Sequence, residues 1–102
     1  MLFVVTLERG GPWDRSLDMR EQDGWEEHAE FMDALVEDGF VLLGGPLAAE
    51  REVLLLIRAG SELALRGRLA ADNWHLNGML TIKSVREWTV LLDGLGATQE
   101  RL

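Results

Sequence analysis

Two short, continuous apolar runs constrain the fold most: Phe40-Val41-Leu42-Leu43 and, within Glu52–Arg58, Val53-Leu54-Leu55-Leu56-Ile57. They are separated by Gly44-Gly45-Pro46 and the polar turn 48–51. Runs of this length, apolar at every position, suit strands covered on both faces. The short connection between them favours antiparallel pairing. Whatever sheet contains them must therefore be covered on two sides.

The rest of the chain offers only two helices for that task. Leu2-Phe3-Val4-Val5-Thr6-Leu7 is rich in strand formers and ends at the breaker Glu8-Arg9-Gly10-Gly11-Pro12. Residues 10–20 read as a loop, in which Trp13 needs cover. Residues 20–38 read as the first helix. At about 100° per residue, Trp25, His28, Ala29, Phe31, Met32, Leu35 and Val36 fall on one side. Glu26, Glu27, Glu30, Asp33, Glu37 and Asp38 fall on the other. Gly39 stands where a left-handed cap residue belongs. Ser61 is the expected N-cap of a second helix, with Glu62 in its first turn and Leu65 and Leu69 on one face, ending near Ala71. Residues 72–78 read as a turn or short helical piece, 79–92 as a long final strand, and 93–102 as a tail. The order β-α-β-β-α-β predicts an α+β, ferredoxin-like domain with core 2–92: a four-stranded antiparallel sheet with two helices on one face. The uncovered face calls for a partner, and a second copy of the same sheet is the economical one. The expectation is a homodimer.

Composition narrows the function classes. At 102 residues the chain is one domain. It has no cysteine, which excludes disulfides, thiolate metal sites and a cysteine nucleophile. The apolar start Met1-Leu2-Phe3-Val4-Val5 lacks a basic lead and reaches charge by Glu8, so it reads as neither a signal peptide nor a membrane span. A cytoplasmic protein is expected. The net charge is −8, and residues 18–38 alone hold nine acids and one base. An acidic helix face repels phosphate backbones, so nucleic acid is not expected as a partner. That face reads as a solvated surface, with a specific acidic docking surface as the alternative.

Few side chains can do chemistry, since tyrosine is absent as well as cysteine. His28 lies on the apolar side of the first helix beside Trp25 and Met32. It is either a core histidine satisfied by one hydrogen bond or a working base. His75, next to Trp74, is either a surface residue or part of a cleft wall. No HxxxH or HxH spacing supports a metal site, and no metal or cofactor is expected. Gly44-Gly45-Pro46 is a tight strand exit or a bare-backbone pocket lining. It lacks the ending and the following helix of a phosphate loop. Trp13, Trp25, Trp74 and Trp88 serve core and interface packing, or Trp25 and Trp74 wall a pocket for a flat ligand.

Three segments resemble the YCII-related proteins of the dimeric α/β-barrel group. They are Trp25-Glu26-Glu27-His28-Ala29-Glu30-Phe31, Phe40-Val41-Leu42-Leu43-Gly44-Gly45-Pro46-Leu47 and Leu69-Ala70-Ala71-Asp72-Asn73-Trp74-His75-Leu76-Asn77-Gly78-Met79. The second is similar to the family's G-x-L-L-x-x-G-P and the third to its A-D-P-F/Y-x-x-A-G-h. Asn73 and Asn77 depart from the third pattern, and Trp25 stands where the family often has arginine. The resemblance implies a dimeric α/β barrel and a His-Asp pair in a cleft, at His28 and Asp72. It also implies a ligand site flanked by Trp25, Gly45, Pro46, Trp74 and His75. A carboxylate on one ring nitrogen would fix the tautomer and leave the other free as a general base. The implied activity is cofactor-free proton transfer on a small cyclic or aromatic molecule, of lyase or isomerase type. The alternative is a non-catalytic module that binds a small ligand or another protein.

Overall fold

A computed structural model describes residues 1–49 and 51–96. In chain order it contains β1 (Leu2–Arg9), a 3-10 turn (Met19–Glu21), α1 (Trp25–Glu37), β2 (Val41–Pro46), β3 (Glu52–Arg58), α2 (Glu62–Leu69), α3 (Asn73–Leu76) and β4 (Leu80–Glu87). The strands form one antiparallel sheet in the order β2-β3-β1-β4, which is the ferredoxin-like α+β arrangement. No helix among the described residues is long and apolar enough to cross a membrane.

Strand alternation sorts the side chains onto two faces. Phe3, Val5 and Leu7 of β1 join Leu55 and Ile57 of β3 under the helices, where Leu35, Leu65, Leu69 and Trp74 close a single core. Val5, Ile57, Leu65 and Leu69 are fully buried there. Each such side chain contributes roughly 1.5–3 kcal/mol relative to leaving it in water. On the opposite face, Val4 pairs with Leu56 and Leu43 lies against Leu56 from the other side. Leu43, Leu54 and Trp88 remain 47%, 39% and 48% exposed there.

Three boundaries differ from the sequence reading, each for a local reason. The first helix begins at Trp25 rather than residue 20. Asp18 and Glu21 form a capping box around a separate 3-10 turn, Gln22 leaves it in an extended conformation, and Gly24 is left-handed at φ 79°. The predicted helix wheel holds at its centre, with His28 and Leu35 buried, but Val36 is exposed at the end. Gly44-Gly45-Pro46 does not stand after the end of the strand. It continues β2 and pairs with Leu55, Leu54 and Val53. Proline is tolerated because β2 is an edge strand. The final strand stops at Glu87 rather than residue 92. Trp88 donates its N–H to the Leu2 carbonyl, and there the neighbouring strand runs out. Part of the predicted tail, 97–102, lies outside the described residues.

Candidate active site

The site begins where α3 is docked. Asp72 caps α3, its carboxylate accepting the Trp74 N–H at 3.4 Å. The next two side chains then grip the entrance to α1. Asn73 donates Nδ2–H to the Gly24 carbonyl at 3.0 Å, and Trp74 donates Nε1–H to the Asp23 carbonyl at 2.8 Å. Gly24 is left-handed at φ 79°, and a Cβ there would stand 2.7 Å from Asn73 Nδ2, so a larger residue would strain the backbone and press on the clamp. This clamp brings the start of α3 beside the first turn of α1, where His28 sits.

His28 Nδ1 lies 2.7 Å from Asp72 Oδ2 and 2.9 Å from Oδ1. Asp72 has no exposed surface, and His28 is only 8% exposed. A buried carboxylate accepts hydrogen bonds, so the contact assigns a proton to Nδ1, and in the neutral imidazole that tautomer leaves the lone pair on Nε2. The imidazole stacks on the Trp74 indole, ring centres 4.0 Å apart and planes 11° apart. Trp13 meets the same indole edge-on at 5.3 Å, and Trp25 leans on it at 5.8 Å. Trp13, which the sequence left uncovered in a loop, is thus 7% exposed. Its loop is tied by Gln22, which bonds both the N–H and the carbonyl of Asp14.

A cavity of about 310 Å³ opens between α1 and the sheet, with His28 in its wall. Trp25, Trp74, Gly45 and Pro46 line it too, so five of the seven residues singled out in the sequence surround one space. Asp72 stands behind His28, away from the cavity. His75 is not among the lining residues of this cavity. On a helix, consecutive residues point about 100° apart, so with Trp74 turned inward His75 turns away. Burial holds its pKa below the usual histidine range, with His28 adding to the effect and Asp72 opposing it. Among the described residues no group of three or more His, Asp or Glu side chains could hold a metal ion.

The sequence reading missed Arg9, Met19 and Met32 as lining residues. Arg9 carried a usable signal. It continues the Phe3, Val5, Leu7 alternation by one step, onto the helix face of β1, and its guanidinium lies 4.2 Å over the Trp13 ring. A strand thought to end at Leu7 hid it.

No family model matches the chain, and no curated protein matches it in sequence. Among solved structures it is similar to 5-chloro-2-hydroxyhydroquinone dehydrochlorinase (TftG) from Burkholderia phenoliruptrix AC1100, determined in complex with 2,5-dihydroxybenzoquinone. The TM-score is 0.66 at 20% identity, over 87% of this chain and 94% of that one. A likeness at this identity establishes the shared fold.

Proposed function

We propose that the chain is a small-molecule enzyme of the YCII-related kind that moves a proton on a cyclic or aromatic substrate. The observation that carries the reading is the 2.7 Å His28–Asp72 hydrogen bond at the wall of an aromatic cavity. In this reading, His28 Nε2 takes a proton from a substrate hydroxyl or C–H group. The electron pair left behind becomes a new C=C or C=O bond. The bonding pair it displaces departs with a leaving group as an anion, or relocates to a carbon that takes the proton back from Nε2 to give an isomer. Asp72 holds the ring in the required tautomer and balances the imidazolium formed in that step. The Trp74 face adds to that balance by its quadrupole. The fold neighbour's dehydrochlorinase activity belongs to the same broad class, elimination from a hydroxylated ring.

The test is a turnover screen of hydroxylated aromatics and lactones with the wild type, His28→Gln and Asp72→Asn. A positioned general base contributes about 10²–10⁴-fold, so both variants should lose activity on that scale while keeping the wild-type circular dichroism. Turnover that survives His28→Gln would reject the reading.

The same proposal includes a homodimer formed across the open sheet face. It is supported by Leu43, Leu54 and Trp88 standing partly exposed on a sheet whose helices all lie on the other side.

A further inference from the structure

The protein carries eight negative charges in excess, yet the described residues lining one depression, which shares Arg9 with the cavity wall, are mostly cationic. Among the described residues, Arg9, Arg15 and Arg51 line it together with Glu8, in a space of about 390 Å³. The three arginines come from three separate segments: the end of β1, the loop after it, and the β2–β3 turn. Each backbone is held in place. The Arg9 N–H donates to the Arg51 carbonyl at 3.4 Å. Arg15 follows Asp14, whose main chain is clamped by Gln22 and whose carboxylate binds Ser16. Arg15 and Arg51 are exposed and make no ion pair with another described residue. Arg9 has interactions within the chain, including its stack on Trp13, and is the wall shared by the depression and the cavity.

Resting on the reading of the cavity given above, we infer that this depression is an anion subsite, and that the ligand is a planar ring bearing a carboxylate. The ring would lie among Trp13, Trp25 and Trp74, and the carboxylate would reach past Arg9 to Arg15 and Arg51. Guanidinium groups suit that acceptor because their paired N–H donors match its two oxygens. The charge distribution favours the same ligand. An anion meets repulsion along the acidic face of α1, whereas this depression presents Arg15 and Arg51, with Glu8 as the one carboxylate among its described lining residues. Asp33, on the cavity lining, is exposed and belongs to the α1 side.

The experiment titrates the tryptophan fluorescence of the full chain with a dihydroxybenzoate and with the dihydroxybenzene that lacks its carboxylate. The acid should bind at least about tenfold more tightly at low salt, the factor expected of one charge-assisted hydrogen bond. Added salt should shrink that preference, and the exposed double variant Arg15→Gln/Arg51→Gln should bring it close to one. Equal affinity for the two rings, or a preference that survives the double variant, would overturn the anion subsite and leave the His28 cavity reading intact. If neither ring altered the fluorescence, both would fall.

Discussion

Asp72 shows how one residue can serve two levels of organisation. Its backbone opens α3 and its carboxylate accepts the Trp74 N–H, an ordinary cap. The same carboxylate is completely buried and binds His28 Nδ1. A buried carboxylate without donors is expensive, so the two roles support each other. His75, three residues along, makes a separate statement about pH. Burial depresses its folded pKa, while in the unfolded chain it titrates near 6.5, the usual value (about 6.5). As pH falls through that value, the unfolded chain binds a proton that the folded chain refuses, so stability falls toward acid. Urea unfolding at about pH 7.5 and about pH 5.5, on either side of that value, should show wild type losing more stability than His75→Gln. Equal losses would mean that His75 is not the group responsible.

At the scale of elements, α1 ties surface to site. Its outer side carries most of the acidic residues, with Asp33 reaching the cavity lining, and its inner side supplies His28 and the buried Leu35. Leu35 packs in the main core, so Leu35→Ala should cost about 2–5 kcal/mol. Glu30→Gln, on the exposed side, should change stability by less than about 0.5 kcal/mol. Denaturant midpoints for the two variants check this, and similar costs would mean that the helix is turned differently. The helix start is less robust than its middle. Gly24 supplies a left-handed entry without a side-chain cap, and the clamp from Asn73 and Trp74 takes the place of a conventional cap. Helix start and the geometry of the candidate site are therefore one structural unit.

For the whole molecule, the decisive asymmetry is between the two faces of the sheet. One is sealed by α1, α2 and α3. The other presents Val4, Leu43, Leu54 and Leu56 around a shallow depression reached by Trp88. Apolar exposure concentrated on one sheet face marks an association surface. Sedimentation at micromolar protein should give about twice the 11.4 kDa chain mass. Leu54→Lys, placing a charge at the centre of that face, should return the species to chain mass with its circular dichroism unchanged. A wild type that stays monomeric at every concentration would defeat the dimer.

The sequence by itself determined the order of elements, the inward side of α1 and the need to cover both faces of β2 and β3. These follow from periods of 2 and 3.6 residues, which are local properties of the chain. The cap at Ser61 and the left-handed Gly39, φ 76°, are local in the same sense and were equally legible. Where strands end was less so. β4 stops where its neighbour β1 begins, a fact about pairing that no single segment records. The site was the least legible. His28 and Asp72 are 44 residues apart, and no periodicity links them; only the likeness of two separated motifs to a family suggested the pair. The convergence of Trp13, Trp25 and His28 on the Trp74 ring, and of three arginines on one depression, was decided by tertiary docking. Local patterning encodes which face a side chain occupies, whereas its neighbours across the chain depend on how the clamp between α3 and the start of α1 closes.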